Sequence, residues 1–203
     1  EEIFKKDWPL FFMYLGALKV LGINDERKIQ LKKHTDELYN IYEYWNEMLN
    51  LSDLEENQKA FVEACRDGKM TCLFNQSTYL IIERLINFHE YDLAELYVTK
   101  HEKAGEKGFR IKKYKAIILQ GKENDVEALK WYREAFEDNS TDKFVIDSLI
   151  TLSLVNKRKV NKEVLDAAIK ADTSRLHMLV AACYLNDGDI SRAKNENIRA
   201  ILM

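Results

Sequence analysis

The stretch ENDVEALKWYREAF, residues 123–136, decides how the chain is to be read. Three polar residues, Glu123, Asn124 and Asp125, suit a turn followed by a helix start. Ala128 then sits one turn into that helix, with Tyr132 and Ala135 further along. Two other segments align with its head without gaps: HEYDLA at 89–94 and GDISRA at 188–193. Ala94 and Ala128 are 34 residues apart, and Ala193 follows 65 later, close to two further periods with a few residues removed. Twelve positions before these alanines stand Ile82, Ala116 and Ala181, and seven after the later two stand Ala135 and Ala200. In the first segment that last position is His101, a departure.

Small residues at these places have a physical reason. Two antiparallel helices joined by a short turn approach most closely near the turn, and a long side chain there would force them apart. A single hairpin cannot bury its apolar face, whereas stacked hairpins can. With its 34-residue period, its turn motif, and Tyr132 and Ala135, the region from Asn75 to Ile201 resembles the tetratricopeptide repeat family. The resemblance implies an all-α, right-handed helical-hairpin solenoid of roughly 11 helices. The expected division is an N-terminal helical segment, 1–74, packing on repeats at 75–108, 109–141, 142–172 and 174–203. The third repeat is degenerate: NKRKVNKEV replaces the turn motif, and Val164 stands where alanine is expected. No repeat keeps the family's proline after its second helix.

The N-terminal third does not align with this frame. Apolar periodicity there predicts helices over Trp8–Leu21, Asp25–Leu49 and Leu54–Arg66, with Asn24 and Ser52 as caps before acidic first turns. The second of these would be one long helix, with Leu31, Leu38, Ile41, Tyr42, Trp45 and Leu49 forming its stripe. MYLGALKVLG, residues 13–22, echoes the first helix of a repeat.

Composition narrows the function. One proline and seven glycines in 203 residues favour long helices over a turn-rich sheet protein. A net charge of −3 disfavours wholesale nucleic-acid binding, which needs a basic surface to release counterions. RIKKYK at 110–115 and NKRKVNK at 156–162 are the two basic runs, and runs of this kind are ordinarily solvated faces. Cys65, Cys72 and Cys183 are odd in number and not spaced as zinc ligands, so they suit a reducing, cytoplasmic setting and a place in the core. No apolar run is long enough to span a membrane. The chain begins Glu1-Glu2 and ends just past an apolar face of Ile198, Ile201 and Leu202, and is expected to be a fragment of a larger protein. That face lacks a polar capping helix and would be covered by the rest of the protein or by a second copy, a homodimer through the C-terminal helix.

In the tetratricopeptide repeat family the first helix of each repeat lines a groove that takes a protein or peptide. Carried over by register, the groove residues are Tyr79, Glu83, Asn87, Lys113, Ile117, Gln120, Met178 and Asn186. Amides among them suit a peptide backbone, while Tyr and Ile suit apolar side chains. The family's carboxylate clamp is not expected, because Ile117 stands where the Asn one turn after Lys113 would be. Phosphate loops, paired CxxC motifs and metalloprotease motifs are missing, so no cofactor, no metal and no catalytic residue is expected. Two other functions match parts of the sequence. Arg84 and His89 have the Arg-x4-His spacing of some helical ribonucleases, but Leu85 follows the Arg where those enzymes have a polar residue. Asn87, Asn156 and Asn186 would suit the peptide-sensing domain of a bacterial transcriptional regulator. The leading expectation is a non-catalytic scaffold that binds a protein or peptide.

Overall fold

The computed structural model describes residues 7–51, 55–73 and 78–203. Among them 13 helices form, and the pairing between extended segments is the single bridge Ile41–Thr71. The molecule is an all-α helical-hairpin repeat protein, divided into two compact units, residues up to Tyr97 and Val98–Met203.

In the first unit α1 covers Trp8–Val20, α2 Asn24–Lys33, α3 Thr35–Leu38, α4 Tyr42–Leu51, α5 Glu55–Arg66 and α6 Thr78–Asn87. The first half of α7, Tyr91–Lys103, completes it. The expected long helix over Asp25–Leu49 is in fact three, which accounts for the two helices beyond the expected 11. Two interactions break it, one local and one with a distant segment. The Thr35 hydroxyl donates to the Lys32 carbonyl (3.1 Å), competing with the helical ladder just where α2 stops. Beyond α3, the Tyr42 N–H donates to the Thr71 carbonyl and the Thr71 N–H to the Asn40 carbonyl, both at 2.9 Å, which draws the backbone out of helical pairing. The stripe is buried all the same: Leu31, Leu38, Ile41, Tyr42, Trp45 and Leu49 all lie in the core. Asn24 opens α2, but its side chain accepts from the Arg27 guanidinium (2.9 Å) instead of a backbone N–H. The expected cap Ser52 and the repeat start at Asn75 lie outside the described residues.

The second unit holds the rest of α7, then α8 (Phe109–Gly121), α9 (Asp125–Asp138), α10 (Lys143–Val155), α11 (Lys162–Ala171), α12 (Ser174–Asn186) and α13 (Ile190–Leu202). α8 packs on α9, α12 on α13, and α10 touches α9, α11 and α12. Tyr132, Leu129, Ile146, Leu149, Leu176 and Val180 anchor the common core.

The repeat frame is written most plainly in the backbone. The first helices of the four hairpins end on a residue with positive φ: His89 at 60°, Glu123 at 61°, Lys157 at 52° and Gly188 at 78°. Each end makes the same pair of hydrogen bonds. Asn124 N–H donates to Leu119 O and Glu123 N–H to Gln120 O; Glu90 and His89, Arg158 and Lys157, and Asp189 and Gly188 repeat the pattern. This is the Schellman arrangement, which satisfies the last carbonyls of a helix. Glycine fills the left-handed position in only one of the four. For an L-residue that conformation costs roughly 1–2 kcal/mol, against an entropic cost of roughly 0.5–1 kcal/mol for glycine. Glu123→Gly is therefore expected to stabilise the chain by about 0.5–1 kcal/mol, read as a rise in the urea midpoint. A fall would mean the Glu123 side chain has a structural role.

The alanines behave as close-approach positions. Ala94, Ala128 and Ala193 are each the fourth residue of a second helix and at most 1% exposed, and Ala116, Ala135 and Ala181 are as deeply buried. His101, the departure, is half-buried, with Nδ1 3.2 Å from Glu106. In the degenerate hairpin the turn runs from Asn156 to Asn161, against three residues in each of the others. Counted from the helix start, the alanine position there is Leu165, whose N–H bonds to Asn161 O as Ala128 N–H bonds to Asn124 O. Val164, assigned to it from sequence, is one residue early because the turn is longer.

Candidate functional site

The four left-handed turn residues give an exact register for the first helices. Ten residues before Glu123, Lys157 and Gly188 stand Lys113, Asp147 and Met178. Six before stand Ile117, Thr151 and Ala182, and three before stand Gln120, Leu154 and Leu185. These rows run over α8, α10 and α12 of the second unit. Met178 and Leu185 are exposed and the other seven half-buried. Ten before His89 is Tyr79, which with Glu83 and Asn87 lies on α6 of the first unit; Tyr79 is half-buried and the other two exposed. Asn186, exposed, follows Leu185 at the end of α12. The eight groove residues expected from sequence thus fall three in one unit and five in the other.

Several have internal partners. The Lys113 ammonium lies 2.9 Å from Asp142, between the rings of Phe109 (5.6 Å to its centroid) and Phe144 (5.0 Å), tying α8 to the start of α10. Gln120 accepts from the Tyr132 hydroxyl at 2.8 Å, giving that fully buried phenol a partner. Burial pushes the Tyr132 phenol up to about 12. Ile117 packs against the core. The expected groove residues include none from α10, because the degenerate turn hides its register in the sequence. On α10, Asp147 receives the Arg175 guanidinium, which also donates from Nη2 at 3.0 Å, and Thr151 donates to the same carboxylate at 3.3 Å.

The lysines of the first basic run are all held in ion pairs: Lys112 with Asp138 (2.8 Å), Lys113 with Asp142, and Lys115 with Glu102. Lys115 also sits 4.2 Å from the Trp131 ring centroid. These contacts join neighbouring helices of the second unit. Arg84 donates to Asn46 (3.2 Å) and Asn50 (2.9 Å) on α4, while His89 is a turn residue bonded to the Tyr91 hydroxyl (2.8 Å). Of the three asparagines considered for peptide sensing, Asn156 gives its amide to Asp125 (3.2 Å) and Leu152 O (2.9 Å). Burial pushes the Cys72 thiol up to about 12 and that of Cys183 to about 11, so neither is an activated thiolate. Among the described residues no cluster of metal-ligating side chains forms, and no helix is long and apolar enough to cross a membrane.

Among solved structures, the chain matches YrrB, described as a TPR protein with an unusual peptide-binding site, at 16% identity and a TM-score of 0.56, over 84% of this chain and 90% of that one. It also matches a tetratricopeptide repeat protein from Parabacteroides merdae ATCC 43184, at 15% identity and a TM-score of 0.58, over 97% of this chain and 78% of that one. The fold is of tetratricopeptide repeat type. No family model and no curated protein matches the sequence. The tetratricopeptide-type hairpins of the second unit thus carry a register on their first helices that the amino-acid pattern shows only in part.

Proposed function

We propose that this chain is a non-catalytic scaffold of tetratricopeptide type that holds a protein or peptide against the first-helix rows of its second unit. The observation that carries this reading is the register itself, which sets the exposed Met178 and Leu185 in line with the half-buried polar groups Asp147 and Thr151. Apolar contacts beside hydroxyl and carboxylate groups suit an extended or helical peptide. The peptide-binding site of YrrB lends support from the same fold at low identity. Arg84 and His89 both have structural partners, which favours binding over catalysis.

Peptides selected from a random library against the full chain test this proposal. Affinity, read by fluorescence anisotropy, is expected to fall about tenfold or more in Met178→Asp and in Thr151→Arg, as for anchors at a binding surface. Wild-type affinity in both variants, for every selected peptide, would remove these rows as the site. Lys113→Glu is a poor probe, because it also breaks the contact with Asp142.

A further inference from the structure

We propose that the long turn of the degenerate hairpin, residues 156–161, together with Lys162 at the start of α11, is a second docking surface and that it takes an acidic peptide segment carrying an apolar side chain. The two basic runs of the sequence meet opposite fates. Every lysine of the first is paired within the second unit. In the second run the side chains of Lys157, Arg158 and Lys162 make no ion pair or hydrogen bond among the described residues, and all three are exposed. Lys159 reaches Asp187 only at 3.7 Å and its side chain is 80% exposed.

The cations are concentrated where the fold departs from its own pattern. This turn is twice as long as its three counterparts yet keeps the same helix-ending hydrogen bonds, so the added residues project from a fixed base. Insertions in repeat proteins fall in loops on one face, often the binding face. Val160, in the middle of the basic run, is half-buried beside Leu154 and over the buried Leu165 and Cys183, with Asn186 and Asp187 of the next hairpin alongside. A half-exposed valine among unpaired cations fits a carboxylate-bearing peptide whose one apolar residue lies against it.

A polyanion fits less well. Three unpaired cations on one turn are few against the 6–10 phosphate contacts of strongly salt-dependent nucleic-acid binding. The surface is about 15 Å along the helices from Met178, since ten residues separate that residue from its turn.

The test uses the full chain and a short fluorescein-labelled peptide of glutamates flanking one leucine. Arg158→Glu combined with Lys162→Glu is expected to weaken binding about tenfold or more, and raised salt to weaken the wild type alone. Val160→Ser is expected to abolish the preference for this peptide over one with serine in place of leucine. Met178→Asp should leave it unchanged, which separates this surface from the first-helix rows. Equal binding by the charge-reversed and native chains overturns the proposal. So does tighter binding of an oligouridine or of phosphatidylserine vesicles than of the peptide.

Discussion

Ala128→Leu is expected to cost about 1–3 kcal/mol of unfolding free energy, while the same residue type is native one repeat later. Ala128 is fully buried near the turn that joins α8 and α9, and it packs with Ala116, Tyr132 and Ala135 in the core of the second unit. The turn between those helices is three residues long and fixed at both ends, by the left-handed Glu123 and by Asn124, whose side chain accepts from the Glu127 N–H. A leucine therefore has no room unless the two helices separate, and separating them would disturb the pair Lys112–Asp138. In the next hairpin Leu165 occupies the corresponding place, below a longer turn, and is 7% exposed. Leu165→Ala is expected to destabilise by about 2–5 kcal/mol through the cavity it leaves. Urea unfolding of both variants, followed by circular dichroism, checks the pair. A neutral Ala128→Leu would show that helix spacing is not set at this position.

That contrast also explains what could and could not be read from the sequence. The alanines, the turn residues and their period are local and chemically distinct, so three hairpins were legible. The third was legible only as a degenerate repeat, 142–172, because a turn of different length shifts the count and hides both Leu165 and the α10 positions Asp147, Thr151 and Leu154. In the N-terminal region the apolar spacing identified the buried residues but not the breaks between α2, α3 and α4, since a backbone pairing with distant Thr71 leaves no trace in periodicity. Lys113 and Gln120 lie on α8, ten and three residues before Glu123. Their ties to Asp142 and Tyr132 were invisible, because such pairs depend on side chains that meet only once the hairpins stack.

Replacing His177 by alanine is expected to destabilise the chain by about 3 kcal/mol, and the native chain to lose stability as the pH rises past neutrality. His177 is fully buried on α12. Its Nδ1 lies 2.6 Å from Glu196 on α13, and its Nε2 lies 3.0 Å from Asp172, the left-handed residue that ends α11. One imidazole thus links three helices, and removing it leaves the buried Glu196 carboxylate with Arg199 at 3.4 Å. Burial works against the charged ring, but hydrogen bonds and charge from Asp172 and Glu196 outweigh it, so the pKa is raised above 6.5. The folded chain therefore keeps a proton that the unfolded chain has released. The resulting stability is present in full below the unfolded value and declines as pH rises through the folded one. Urea midpoints measured between about pH 5.5 and about pH 8.5 should fall for the native chain and stay flatter for His177→Gln, which can hydrogen-bond but not titrate there. Parallel curves for the two would place the proton elsewhere.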